Sequence, residues 1–252
     1  MTTSSQCFTS ISYAGHAAVF LEGINHVLAI DPWLETNPLC PDALKNPEKI
    51  DTIVLTHGHS DHADDAVRLG KQYGAQLCAT YELAMLLKNE GYPEDKIVPM
   101  NKGGTTTIDI ANSDIADSGT PQIKVTLTHA IHSSTFDTAQ GPKYAGEACG
   151  VVISTPDRTF YHAGDTALFS DMALISKTYA PDYAFLPCGD RFTMGPKEAA
   201  YAAKLIGAKW NIPIHHSTFS LLTGTPEQFS DECKAQDCNS LIIEPGKSFP
   251  IR

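Results

Sequence analysis

The run His57-Gly58-His59-Ser60-Asp61-His62 constrains this chain more than any other feature. It sets three imidazoles and a carboxylate in six positions, between the apolar stretch DTIVLT (51–56) and a segment whose apolar residues Ala66, Val67, Leu69 and Tyr73 suit a helix ended by Gly74. A strand feeding a polar loop that opens a helix is where α/β proteins carry chemistry, because the strand end is rigid and the loop presents side chains. On a turn without regular periodicity these donors can point at two different centres. Imidazole nitrogens suit Zn, Fe or Mn, and a carboxylate can bridge two ions or complete the coordination of one. A helix N-terminus capped by Ser60 or Asp61 would also account for a polar start; the crowding of four donor side chains favours a metal.

Three further features repeat that placement. His132 follows the predicted strand IKVTLTH (123–129), Asp165 follows RTFYHAG (158–164), and His215-His216 close KWNIPIH (209–215). All sit at C-terminal ends of predicted strands, so their side chains can converge on one rim.

Around these motifs the chain divides into two similar halves. The first opens with short β-prone runs at 8–13, 17–22 and 26–31, then a Pro-rich loop through Pro32, Pro38, Pro41 and Pro47 that excludes regular structure. Strand–helix alternation follows: AQLCA (75–79), YELAMLLKNEG (81–91), and strands around KIVPM and TTTIDI. ANSDIADSGTPQ (111–122) reads as a surface excursion. The second half expects strands at 123–129, 148–155, 158–164, 182–187, 209–215 and 240–245, and helices at 168–179, 196–207 and 226–236. Two halves of this kind predict two mixed β-sheets packed face to face with helices on both outer faces, an αββα sandwich formed as one domain over residues 1–252.

Composition narrows the function classes. With 18 Lys+Arg against 29 Asp+Glu, the net charge of −11 opposes unaided binding to extended nucleic acid. No run of 18 apolar residues is present, which excludes a spanning helix, and MTTSSQCFTS has no basic stretch followed by an apolar one, so a secretory signal is not expected. Seven cysteines, an odd number with no CxxC pair, point to reduced thiols in a cytoplasm. Cys188, in AFLPCGD, reads as a small hydrophobe.

THGHSDHADD resembles the signature of the metallo-β-lactamase superfamily. In order along the chain, GHAAVFLE, IDPWLETNP, AIHSS, YHAGDTALFSDM, CGDRFTMGP and IPIHHSTF are similar to the UPF0173 group of metal-dependent hydrolases, relatives of the ascorbate-6-phosphate lactonases, from Tyr13 to Gly246. The resemblance implies one metal held by His57, His59 and His132, a second held by Asp61, His62 and His215, and Asp165 bridging them. It also shows two departures: His216 stands where the group more often has Tyr, and Arg191 where Asn or His is usual.

Two divalent ions, zinc first and Mn or Fe as alternatives, imply hydrolysis of a small-molecule ester, lactone, amide or phosphoester by a metal-activated hydroxide, with Asp61 orienting it and shuttling its proton. The alternatives are a di-iron oxidoreductase or dioxygenase on the same fold, and a metal-binding sensor without turnover. Behind the ligands, Asp31 is expected to hold the free N–H of a metal-bound imidazole, and His16 to lie near the metals. Asp190, Arg191 and His216 are candidates for the pocket wall, Arg191 for an anionic group on the substrate. His129 and His162 precede His132 and Asp165 by odd offsets and should face away; His26 should be exposed. A homo-oligomer is compatible with this reading.

Overall fold

The computed structural model describes residues 6–110 and 122–252. Of the excursion expected at 111–122, only Gln122 falls among them. The first sheet takes β1 (Ser10–Gly15), β2 (Ala18–Glu22), β3 (Val27–Ile30), β4 (Thr52–Val54), β5 (Gln76–Thr80) and β6 (Ile97–Met100) in sequence order. The second is laid down from β7 (Thr105–Asp109) and β8 (Gln122–His129) through β11 (Cys149–Ser154), β12 (Thr159–His162) and β13 (Tyr183–Pro187) to β14 (Trp210–Ile214). A separate hairpin, β9 (Thr135–Thr138) and β10 (Gly141–Tyr144), follows His132.

Each sheet begins antiparallel and ends parallel. β1, β2 and β3 pair antiparallel, and β3 to β6 run parallel; β7, β8, β11 and β12 pair antiparallel, and β12 to β14 run parallel. The parallel crossovers carry helices: α2 (Ser60–Ala63) and α3 (Ala66–Tyr73), then α4 (Tyr81–Asn89), on the first sheet, and α5 (Met172–Tyr179) and α6 (Pro196–Ile206) on the second, joined by α7 (Pro226–Ala235). α1 (Asp42–Lys45) is one turn in the Pro-rich loop. α3 stops where its sequence expects, at Gly74, whose φ of +63° is left-handed and whose N–H donates to Gly70 O.

Period-two alternation sorts the side chains into three layers of packing. Val19, Leu21, Leu28 and Ile30 face inward against Val151, Ile153, Phe185 and Ile212 of the other sheet in one buried cluster. Their neighbours Phe20 and Ala29 turn outward to Leu69, Leu83 and Leu87 of the helices. On the far side Val152, Ala184 and Leu186 meet Met172, Ala199, Ala203 and Phe229. A one-residue slip would exchange these faces, so the strand register, and with it the rim, is tightly set.

Two expectations are corrected. SLIIEP (240–245) forms only an isolated bridge, Asn211 to Ser240, because the segment returns along the edge without a run of ladder bonds. The closing strand is β15 (Ser248–Pro250), antiparallel to β1, too short and too rich in loop-forming residues to stand out in the sequence.

Candidate metal centre

The rim formed by the C-terminal ends of β1, β4, β8, β12 and β14 gathers the donor residues. His57 and His59 follow β4, and their Nε2 and Nδ1 atoms lie 3.0 Å apart. His132 joins them, so His57, His59 and His132 form one group able to hold a cation. A second group consists of His16, Asp61, His62 and His215. Asp165 stands between the two: Oδ2 is 3.1 Å from His215 Nε2, 3.5 Å from His132 Nε2 and 3.9 Å from His57 Nε2, while Oδ1 is 3.3 Å from His62 Nε2.

The hydrogen bonds behind these atoms set which nitrogen is left to face inward. His62 Nδ1 donates to Asp31 Oδ2 at 2.8 Å, leaving Nε2 as a lone pair. Thr56 Oγ1 donates to the same Oδ2 at 2.6 Å, so its oxygen accepts from His57 Nδ1 at 3.0 Å, and His57 Nε2 is likewise a lone pair. Thr56 N–H binds Asp31 Oδ1 at 2.8 Å, which locks the carboxylate. Asp31 therefore orients two imidazoles, one directly and one through Thr56. The short separation among Asp31, His57 and His62 belongs to this support, since both Asp31 oxygens are already engaged.

His16 lies inside the second group. Thr218 Oγ1 donates to His216 O at 3.1 Å and so accepts from His16 Nδ1 at 2.8 Å. Burial, then the neighbouring His215, lowers the His16 pKa to about 4. The Nε2 of this neutral ring offers a lone pair 3.0 Å from Asp61 Oδ2, an arrangement that a shared cation relieves.

Polar valence at the centre is unsatisfied. His62 Nε2, Asp165 Oδ1 and both ring nitrogens of His215 are buried with no hydrogen-bond partner. Other buried polar atoms, such as Tyr161 Oη and Asn211 Oδ1, also lack partners; what sets the centre apart is that His62 Nε2 and His215 Nε2 lie 3.3 and 3.1 Å from the Asp165 carboxylate, an imidazole–carboxylate cluster that fits divalent cations. Burial alone would push the Asp165 carboxyl up, yet the charges of His215 and His62 hold it well below the usual carboxylate range. Burial likewise opposes protonation of His62, but Asp165 and then Asp31 outweigh it and raise its pKa, so the carboxylates draw a positive charge to Nε2, a proton or, in its place, a cation.

The backbone is bent to make this convergence. His16, Asp31 and His215 have φ of 57°, 46° and 54°, left-handed conformations that cost a non-glycine residue of order 1–3 kcal/mol each. His215 N–H donates to His16 O at 2.6 Å, tying the two strained turns together across the sheets. Gly164, before Asp165, has φ +61°, and a Cβ there would lie 2.7 Å from Thr56 Cβ, so the Asp165 loop can seat against Thr56 only as glycine.

The remaining candidates divide. His59, not Ser60 or Asp61, is the N-cap residue of α2, with no side-chain cap bond, so the acidic and imidazole side chains are left for the centre. Asp190, Arg191 and His216 do not line the cavity beside the centre. Asp190 and Arg191 both adopt left-handed φ in a tight turn that leaves them exposed; Asp190 accepts from Arg191 N–H and Thr223 Oγ1, and Arg191 lies over the Phe192 ring. It is Phe192 that reaches the cavity wall. His216 lies past the left-handed turn at His215 and packs instead against Tyr13, ring centroids 6.2 Å apart. His129 is exposed against Phe169, and His162 is buried with Nε2 on Ala17 O and Nδ1 accepting Gly164 N–H. His26, expected outside, is buried and hydrogen-bonded to Thr52. Thr56 and Thr218 were not singled out from sequence; their only signal was adjacency to His57 and to the His215-His216 strand end.

Comparison with known proteins supplies the lineage. Residues 26–216 match the beta-lactamase superfamily domain family. A UPF0173 metal-dependent hydrolase of Rubrobacter xylanophilus is 42% identical over 247 residues, covering 96% of each chain. One from Solibacter usitatus is 40% identical over 239 residues, 94% of this chain and 97% of its own. The solved structure of Igni18, a metallo hydrolase from the archaeon Ignicoccus hospitalis, superposes with a TM-score of 0.80 at 32% identity, over 97% of this chain and 98% of that one. YhfI from Bacillus subtilis, a metallo-beta-lactamase fold protein at 16% identity and TM-score 0.68, shares the fold across 96% of this chain and 99% of its own. Matched along nearly its whole length, the chain belongs to the UPF0173 metal-dependent hydrolases of the β-lactamase superfamily and has the metallo-β-lactamase fold.

Proposed function

We propose that the protein is a dinuclear hydrolase of a small molecule, acting on an ester, lactone, amide or phosphoester. The position of Asp165 carries this reading, because one carboxylate faces donors from both imidazole groups. His57, His59 and His132 would hold one divalent ion, Asp61, His62 and His215 the other, and Asp165 would bridge them. Such a pair supplies a nucleophilic water at neutral pH and polarises a carbonyl or phosphoryl oxygen. Nitrogen-rich donors favour zinc, with Mn or Fe as alternatives.

The chain's own residues do the rest. Asp31 and Thr56 keep His62 and His57 in the tautomers that present Nε2. Asp61 Oδ2, which faces His16 Nε2 and His215 Nε2, would go to the ion, leaving Oδ1 to orient the attacking water and take its proton. Donors come from both halves of the chain, which supports reading residues 1–252 as one catalytic unit. No helix of the described residues is long and apolar enough to cross a membrane. Seven unpaired cysteines fit a reducing, cytoplasmic setting.

The deciding experiment is metal analysis of protein purified without added ions, paired with lactone, thioester and phosphodiester substrates with and without chelator. Two metal equivalents and chelator-sensitive turnover of one substrate class are expected. Metal-free protein with no chelator-sensitive activity refutes the proposal.

A further inference from the structure

Beside the donor cluster lies an open cavity of about 950 Å³, room for a drug-sized molecule. Trp33 and Phe219 form part of its wall as a stacked pair, ring centroids 5.9 Å apart. Phe192 and Leu221 continue that wall, each with 48% of its surface exposed. Large apolar side chains gathered in a concave mouth mark a surface that an apolar ligand covers.

The charged lining is all of one sign. Outside the donor cluster it consists of Asp64, which caps the C-terminal end of α2, and Asp137 on β9, the strand that packs on α2. Among the described residues no lysine or arginine lines the cavity. An anionic group on the substrate, away from the reacting bond and so away from the ions the centre would hold, would meet these carboxylates with no lysine or arginine to balance it.

We infer that the substrate's non-reacting part is apolar, aromatic in the best case, and carries no anionic group. This rests on reading the cavity as the catalytic site. It separates the protein from hydrolases that grip a phosphate or carboxylate handle with an arginine or lysine in the wall.

The test uses metal-loaded protein carrying Trp210→Phe, so that Trp33 is the remaining tryptophan and reports binding by its fluorescence. The probes are acetanilide and its 4-aminomethyl and 4-sulfonate derivatives, sulfonate being a weak metal ligand. Acetanilide and the ammonium derivative should bind comparably and the sulfonate at least ~10-fold more weakly, as expected for uncompensated like charges in a partly enclosed site. Asp64→Asn together with Asp137→Asn should close most of that gap. Phe219→Ala should weaken acetanilide about tenfold through loss of the stacked wall. A sulfonate that binds the Trp210→Phe protein as tightly as acetanilide overturns the inference, as does a gap untouched by the double substitution.

Turnover of phenyl acetate and the same two derivatives separates the two readings. Ordered binding without hydrolysis of any ester counts against the hydrolase and leaves the selectivity standing. Hydrolysis of all three at equal kcat/KM refutes the selectivity and leaves the hydrolase standing.

Discussion

The parallel pair β3 and β4 carries a buried polar contact at each end, and the two ends differ in what that contact leaves over. At the N-terminal ends, His26 Nε2 meets Thr52 Oγ1 at 3.1 Å, and Asp51 accepts Val27 N–H at 2.8 Å while pairing with Lys49 at 3.1 Å. These groups close on one another. At the C-terminal ends, Asp31 and Thr56 also bond, but they pass the interaction on to His62 and His57, and the chain of bonds stops at unsatisfied atoms beside Asp165. The backbone follows the same division, with left-handed φ at His16, Asp31 and His215 on the rim. Burial of a histidine therefore marks nothing by itself. The functional end of this strand pair is the one where unpaired buried imidazole and carboxylate atoms gather beside strained turns.

The sharpest way to break this comparison is Asp165→Ala. It removes the carboxylate between the two donor groups, so metal content should fall, from the proposed two equivalents to one or none, and turnover by ~10³-fold or more, as when a metal-held nucleophile is lost. Thr52→Val, which touches the other end of the same strand pair, should leave metal content unchanged. Elemental analysis of both variants decides it: an Asp165→Ala protein with its full metal complement would show that the unsatisfied atoms are not a metal centre.

Asp31→Ala comes next. No ligand is removed, but His62 and Thr56 lose the acceptor that fixes their orientation, and loss of such support typically costs ~10–100-fold in metal affinity. Thr56→Val should cost less, since it frees His57 Nδ1 alone. Competition against a chromophoric chelator measures both. Equal affinity in wild type and Asp31→Ala would mean that the rim orients its imidazoles without this network.

Much of the rim was legible because its signals are local. Four donors crowd into 57–62, and strand ends announce themselves by apolar runs that stop at polar residues, as before His132, Asp165 and His215. Which face Val151, Val152 and Ile153 present was not legible, because a strand buried on both sides is apolar throughout. What was not legible depends on tertiary context. Nothing local distinguishes Thr56 from any strand-end threonine, and its role exists only because Asp31, 25 residues away, lies beside it. The burial of His26 depends on Phe8 and Thr52 packing against it. Arg191 read as a pocket cation because its neighbours are loop formers; the left-handed turn that instead presents Phe192 could not be read from residue types.

At the far end, His26→Ala should cost stability and not function. It leaves Thr52 Oγ1 without its partner and opens a small void, together worth ~1–3 kcal/mol. Urea unfolding of the metal-loaded protein should show the lower midpoint, with metal content as in wild type. A loss of metal in this variant would erase the distinction between the two ends.

The smallest effect is a pH dependence located at that same histidine. Burial lowers the His26 pKa below its ordinary 6.5, Asp51 opposing and Lys49 reinforcing the shift. The folded protein thus keeps the ring neutral at pH values where the unfolded chain takes up a proton. The unfolded state binds more protons in that window, so stability rises with pH: the contribution is full above 6.5 and is lost as pH falls toward the folded value. One group can contribute at most ~1.4 kcal/mol per pH unit, and less near its own midpoint. Comparing the urea midpoints of wild type and His26→Gln at pH 7.5 and 5.5 cancels the titration of the rim histidines common to both. Wild type should lose more stability over that interval than His26→Gln. Parallel losses would mean that the acid sensitivity of the fold resides at the rim and that the far end is silent to pH.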